Sequence, residues 1–209
     1  MKIFRGLLSA VAAGFCIGLG GAVFLLQTEK LVGALLFCVG LYTICEMQFQ
    51  LFTGRVCYAL EQPFWSWFRF PLIWVGNWVG TGLAAGLLGL TRVGPAARQA
   101  ALVLVQGKNG DTLLSLFLLG FFCNIFVFIA VEGYRTFPLM LGKYLAIFVG
   151  ITVFIMSGYE HSIADMFYYF MAGQMDQEAL VRLLVITAGN VCGGLTAWGA
   201  QQTARKAAG

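Results

Sequence analysis

Residues 157–167 (Ser-Gly-Tyr-Glu-His-Ser-Ile-Ala-Asp-Met-Phe) interrupt a long apolar segment with two carboxylates and the only histidine of the chain. The chain around this stretch has the composition of a membrane protein, because 60% of its 209 residues are hydrophobic and only 11% are charged. An ionisable side chain at bilayer depth costs roughly 3 kcal/mol or more, so it is kept where it faces protein or water. The stretch therefore predicts a functional site inside a membrane domain.

The chain has six apolar segments of the length that crosses a bilayer. They lie at about 3–26, 31–62, 70–90, 112–131, 144–171 and 179–199. The first segment follows two basic residues as a signal peptide would, but its apolar run is too long for one and predicts a retained helix. We predict an all-α, polytopic membrane protein with a single transmembrane domain over residues 1–209.

Charge and cysteine patterns argue against several other classes of protein. The net charge is +4, without a run of five basic residues, which predicts no nucleic-acid partner. The six cysteines lie in apolar segments without a CxxC pair or a Cys/His cluster, so we predict no metal and no cofactor. Glu160 beside His161 would suit acid–base catalysis, but no nucleophile or ligand set accompanies them, and we predict that the chain is not an enzyme.

Two apolar segments are broken, and the breaks belong to an internal repeat. Polar residues interrupt the second segment at 46–55, as 157–167 interrupt the fifth. Gly76-Asn77-x-x-Gly80 recurs as Gly189-Asn190-x-x-Gly193. We predict half-repeats of about 1–90 and 112–200, inverted because each holds three spans. Inverted repeats with discontinuous helices indicate a substrate site at the membrane midplane.

The breaks place half-helix N-termini near the bilayer centre, where they favour an anion or a polarised acid. His161 could donate to such a ligand, exchange a proton with it, or merely bond a neighbour; we expect burial to keep it neutral. The Thr53 hydroxyl suits the same anion or a helix cap. We expect Glu160 to be a structural brace that accepts from backbone N–H groups freed by the break.

Three further polar residues leave two interpretations each. Asn124 and Asn190 suit either hydrogen bonds between helices or donors along a pathway. Lys108 could extend to the membrane interface or attract anions at an entrance.

Three segments resemble the formate/nitrite transporter family: Leu51-Phe52-Thr53, Gly158 to Ala164, and Gly189-Asn190 with Gly193-Gly194. The resemblance covers essentially the whole chain. It implies an aquaporin-like six-helix bundle, assembled as a homopentamer, with a pore in each protomer. The family conducts small monovalent anions or their conjugate acids, and includes formate, nitrite and hydrosulfide channels.

By matching position, the resemblance implies that His161 and Thr53 form the central pair, that Asn124 and Asn190 contact the pathway, and that Lys108 lies near the outer vestibule. It also implies two apolar constrictions, formed by Phe37, Leu41, Leu51, Phe52, Val127 and Phe154. The chain departs from the family at Gln50, where glutamate is frequent, and at Asp165, where asparagine is usual. Arg55 and Asp165 follow the two breaks at corresponding places, so we expect them to pair.

We predict a channel or transporter for weak-acid anions, with formate favoured, moved as anion plus proton through exchange at His161. Nitrite, hydrosulfide, lactate and acetate remain alternatives, and a channel for water, urea or ammonia is the alternative class. Basic residues favour cytoplasmic termini in the inner (plasma) membrane by seven to five. Some relatives are gated by an N-terminal extension; the first span begins near residue 3, so we expect no such gating.

Overall fold

The computed structural model describes residues 2–208, which fold into helices joined by short connections. In chain order the helices are α1 (Lys2–Leu25), α2 (Lys30–Glu46), α3 (Phe52–Val56), α4 (Arg69–Gly89), α5 (Gly94–Asn109), α6 (Leu113–Thr136), α7 (Met140–Met156), α8 (Ser162–Ala172) and α9 (Gln177–Ala208). Two single turns of 3₁₀-helix, Ala59–Glu61 and Phe64–Ser66, lie between α3 and α4.

The helices confirm the six predicted spans, four unbroken and two broken. Among the described residues, four helical stretches are long and apolar enough to cross a membrane, and they correspond to α1, α4, α6 and α9. The second span consists of α2 and α3, and the fifth consists of α7 and α8. The segment that the sequence indicated as a long connection, 91–111, is instead largely helical, because Gly94-Pro95 starts α5.

The two breaks have the same backbone geometry. Gln48, two residues after the end of α2, has φ +57°, and Gly158, two residues after the end of α7, has φ +71°. The next N–H in each case bonds the carbonyl five residues back, Phe49 to Ile44 and Tyr159 to Phe154, both at 3.0 Å. This is the helix-ending motif in which a left-handed residue turns the chain out of the helix.

The repeated glycine–asparagine motif brings the unbroken helices of each half together. A Cβ at Gly80 would overlap the backbone of Val11 in α1, and a Cβ at Gly193 would overlap the backbone of Phe121 in α6. Glycines at these places let two helix backbones approach closely, as in other membrane helix pairs. The motif therefore packs α4 on α1 in the first half and α9 on α6 in the second.

The short helix after each break packs against the opposite half of the repeat. Helix α3 contacts α6 and α9 of the other half as well as α4 of its own, and α8 contacts α1 and α4 of the other half as well as α5 and α9. The two short helices also contact each other. The two breaks consequently meet at the centre of the bundle. The outer surface is apolar, with Leu87 and Val149 each 57% exposed, as expected of helices that face lipid or neighbouring subunits.

Candidate functional site

The only histidine of the chain meets the first break at the centre of the bundle. The Nε2 atom of His161 lies 2.8 Å from the Thr53 hydroxyl, and both residues are buried, with 3% and 0% of their surface exposed. The imidazole also stacks on Phe154, with ring centroids 5.7 Å apart. The two residues that the family resemblance paired are therefore in direct contact.

Backbone contacts fix which nitrogen of His161 carries the proton. His161 is the N-cap of α8, and its Nδ1 accepts a hydrogen bond from the Ala164 N–H at 3.2 Å. A nitrogen that accepts cannot hold a proton, so the neutral ring carries its proton on Nε2. Nε2–H then donates to the Thr53 oxygen, which leaves the threonine O–H free to donate to a ligand.

Two asparagines from the repeated motif hold the breaks open. Asn190 accepts from Ser162 N–H at 3.0 Å and donates to the carbonyls of Gly120 and Glu160 at 2.8 and 2.9 Å. Asn77 accepts from Phe52 N–H at 2.8 Å and donates to the carbonyls of Ala10 and Gln50 at 2.7 and 2.9 Å.

Each of these amides thus accepts from the first helical N–H after a break, and donates both to a carbonyl of the break itself and to a carbonyl of a neighbouring unbroken helix. For Asn190 the contacts are those of the interhelical interpretation. Asn77 was not singled out from the sequence, although its place in the motif is the same. Asn124 donates to the Thr53 carbonyl at 3.2 Å, and its own Oδ1 is buried without a partner among the described residues.

Lys108 lies between two carboxylates. Its ammonium contacts Glu160 Oε2 and lies 2.9 Å from Asp165 Oδ1, and its side chain is only 11% exposed. The expectation that Glu160 accepts from freed backbone N–H groups is wrong, because Asn190 and His161 bond those groups and the carboxylate bonds the lysine. Lys108 is thus held in an ion-pair cluster, and its attraction for anions at an entrance stays a prediction.

The expected pair of Arg55 and Asp165 is also wrong. Asp165 is bound by Lys108, and Arg55 is exposed in a different cavity. The matched hydrogen bonds of Phe52 and Ser162 confirm that Arg55 and Asp165 occupy equivalent positions, three residues further along α3 and α8. Equivalence in an inverted repeat places them on opposite sides of the central pair.

Two cavities approach the central pair. The Lys108 cavity, about 230 Å³, is lined by His161, Phe37, Phe154, Lys30, Lys108, Glu160 and Asp165 among others. The Arg55 cavity, about 480 Å³, includes Leu41, Leu51, Gln50, Arg55, Arg69 and Arg135 in its lining. The predicted constriction residues thus fall on both sides, with Phe37 and Phe154 toward one cavity and Leu41 and Leu51 toward the other. Phe52 and Val127 are buried, with 5% and 1% of their surface exposed.

The two cavities differ in charge. Arg55, Arg69 and Arg135 face one carboxylate of the same cavity, Glu61, whose Oε1 is bonded by the Trp198 indole at 2.7 Å. In the Lys108 cavity two lysines are matched by two carboxylates. The Arg55 cavity is therefore the more cationic of the two.

A sequence model of the formate/nitrite transporter family matches residues 1–202 of the chain. The chain belongs to this family. It is 28% identical to the "Formate channel FocA" of Haemophilus influenzae over 190 residues, which cover 78% of this chain and 65% of that protein. The match therefore spans just under two thirds of the Haemophilus channel.

Other similar proteins align over more of their length. The "Probable formate transporter" of Methanothermobacter thermautotrophicus is 28% identical over 223 residues, covering 91% of this chain and 79% of that protein. The solved structure of a pentameric formate channel with formate bound superposes with a TM-score of 0.84, at 23% identity and 98% coverage of both chains. A structure described as an FNT family ion channel gives a TM-score of 0.82, at 26% identity, covering 97% of this chain and 90% of that one.

Proposed function

We propose that this protein is a membrane channel for small weak-acid anions, with formate as the favoured substrate. The observation that carries the proposal is the buried contact between His161 and Thr53, which lies where the two breaks meet, between two cavities whose linings include charged side chains. Membership of the formate/nitrite transporter family supports it, as does the name of the Haemophilus relative. We propose transport, not catalysis, as the activity.

The central pair supplies hydrogen bonds to a carboxylate without a fixed positive charge. His161 donates through Nε2–H to Thr53, whose own O–H is then available to an anion at the N-terminus of the eleven-residue helix α8. A neutral donor pair at a helix N-terminus binds an anion and also releases it, because no buried ion pair forms.

Apolar side chains on either side of the pair favour a neutral permeant. Phe37 and Phe154, whose rings meet edge to face at 6.4 Å, lie beside His161 in the lining of the Lys108 cavity, while Leu41 and Leu51 line the other cavity. A bare anion would lose its hydration there at a cost of several kcal/mol, whereas the conjugate acid would not. We therefore propose that formate crosses together with a proton.

That His161 itself exchanges this proton stays a prediction. To take up a second proton, the Nδ1 atom of His161 would have to break its hydrogen bond with the Ala164 N–H. As long as that bond is intact, His161 acts as a hydrogen-bond donor through Nε2–H and not as a proton acceptor. We propose that Asn124 supports the pair through the Thr53 carbonyl. We also propose that five protomers assemble, as in the pentameric formate channel, and that both termini face the cytoplasm from the inner membrane.

A proteoliposome flux panel tests the function. Purified protein is supplied with formate, nitrite, hydrosulfide, lactate and acetate at neutral and acidic pH, and we expect formate to move fastest, with faster movement at acidic pH. His161→Asn should lower the flux and flatten its pH dependence, while Thr53→Ser, which keeps the hydroxyl, is the matched control. Movement of water, urea or ammonia without any of the anions would contradict the proposal.

A further inference from the structure

We propose that Glu160 and Asp165, held on either side of the Lys108 ammonium, form a site that binds one exchangeable proton next to the pore. Its role in transport rests on the proposed function, whereas its existence does not. The site lies at the level of the second break, where Glu160 directly precedes His161 and Asp165 lies in the first turn of α8.

The charges of the cluster do not balance without a proton. One ammonium meets two carboxylates, and Glu160 and Asp165 are 7% and 2% exposed. A second carboxylate buried beside the first cannot ionise freely, because like charges in a low-dielectric site repel each other. The ammonium already occupies the place between the acids where another cation would sit, so a proton on one carboxyl is the simplest neutral arrangement.

Asp165 has an atom left for that proton. Its Oδ1 meets Lys108 at 2.9 Å, whereas its Oδ2 is buried and has no hydrogen-bond partner among the described residues. A buried ionised oxygen without a donor is costly, and protonation removes the charge. Asp165 also lines the Lys108 cavity together with Glu160 and His161. The Asp165 carboxyl group therefore faces the cavity through which a permeating anion would reach the central pair.

The groups that surround Asp165 do not supply a second positive charge. Arg182 of α9 donates to the backbone carbonyls of Lys108 and Asp111 at 3.4 and 3.1 Å, not to either carboxylate. Helices α1 and α4 meet α8 through glycines, Gly18 and Gly82, that face phenylalanine rings. Lys30 of α2, the second lysine of the Lys108 cavity, is exposed and donates to the Met156 carbonyl at 3.2 Å, not to either carboxylate. The other titratable side chains near the cluster are Cys123 of α6, Tyr168, Tyr169 and His161. Thiols and phenols carry no positive charge, and the Nδ1 of His161 accepts from the Ala164 N–H and so holds no second proton.

The fold itself does not require this acid pair. In the first half of the repeat the positions of Glu160 and Asp165 are occupied by Gln50 and Arg55. That break has the same backbone hydrogen bonds and the same asparagine brace without a carboxylate at either position. The pair is therefore an addition to the second break and not part of what holds the break open.

The site provides a proton at the place where formate must become neutral. The O–H bond of the protonated carboxyl breaks, the proton forms the O–H bond of formic acid, and the neutral acid continues past Phe154 and His161. The carboxylate pair left beside Lys108 then takes a proton from a hydronium ion of the bulk solution, delivered through the same cavity, which restores the starting state and leaves only water behind.

Infrared spectroscopy of protein in lipid bilayers tests the site without reference to transport. Near neutral pH the wild type should show the C=O stretching band of a protonated carboxyl group, and strongly alkaline pH should remove it. Asp165→Asn and Glu160→Gln should each abolish the band, because a single carboxylate beside Lys108 needs no proton. Glu178→Gln, which changes an exposed carboxylate at the start of α9, is the matched control and should leave the band unchanged.

The infrared and flux results separate this inference from the proposed function. A wild type without the band near neutral pH, or a band that persists in both Asp165→Asn and Glu160→Gln, overturns the proton site even if formate is transported. A band that behaves as expected in a protein that moves no formate supports the site and overturns the function. Where both hold, Asp165→Asn should also flatten the pH dependence of formate flux, and Glu178→Gln should not. Size-exclusion profiles identify any variant that fails to fold. If either Asp165→Asn or Glu160→Gln fails to fold, the test of the proton site rests on the other of these two variants and on the pH titration of the infrared band in the wild type.

Discussion

Replacing Asn190 with leucine removes three buried hydrogen bonds that hold the second break open. The amide accepts from Ser162 N–H at 3.0 Å and donates to two carbonyls at 2.8 and 2.9 Å, and the residue is 0% exposed. Leucine has nearly the shape of asparagine but can make none of these bonds. At about 1 kcal/mol net for each hydrogen bond, the loss is about 3 kcal/mol of unfolding free energy.

The repeat supplies an internal test of this magnitude. Asn77 makes the equivalent three bonds at 2.8, 2.7 and 2.9 Å and is also 0% exposed, so Asn77→Leu should cost the same about 3 kcal/mol. Asn109→Leu is the control, because Asn109 is an exposed residue of α5 whose side chain bonds Tyr169 and Gln174 and no backbone group at either break. We expect it to cost less than about 1 kcal/mol.

Unfolding in mixed micelles of mild detergent and sodium dodecyl sulfate, followed by circular dichroism, gives the three free energies. A loss below about 0.5 kcal/mol for Asn190→Leu, comparable to that of an ordinary surface change, would refute the assignment of the asparagines as braces. A large loss in one half with none in the other would refute the equivalence of the two breaks.

Three further predictions concern the pore. Thr53→Val leaves the Nε2–H of His161 without its 2.8 Å partner and should lower formate flux about tenfold in proteoliposomes, whereas Thr53→Ser should keep it. Arg55→Gln should lower formate flux roughly twofold to tenfold at low ionic strength and less at high salt, because Arg55 contributes positive charge to its cavity. Arg98 lies outside the linings of both cavities, so an equal loss of flux in Arg98→Gln would contradict this explanation. The stability losses of Arg55→Ala and Asp165→Ala should add in the double variant, since the two side chains lie in separate cavities; a coupling above about 0.5 kcal/mol would contradict their separation.

The number of spans, the two breaks and the repeat could be predicted from the sequence because each depends on local pattern. A run of about 20 apolar residues is long enough to cross a bilayer wherever it lies in the chain. Polar residues inside such a run are too costly to face lipid, so they mark the breaks at 46–55 and 157–167. The glycine–asparagine motif repeats because close helix packing in both halves needs small residues at the same spacing.

The partners of individual polar side chains were decided by tertiary structure. The helix α5, between the halves, brings Lys108 to Glu160 and Asp165 across more than 50 residues of chain, and no local pattern indicates that contact. Arg55 and Asp165 illustrate the reason. The inversion that makes their positions equivalent in the repeat also puts them on opposite sides of the central His161–Thr53 pair, so two opposite charges at matching positions cannot meet.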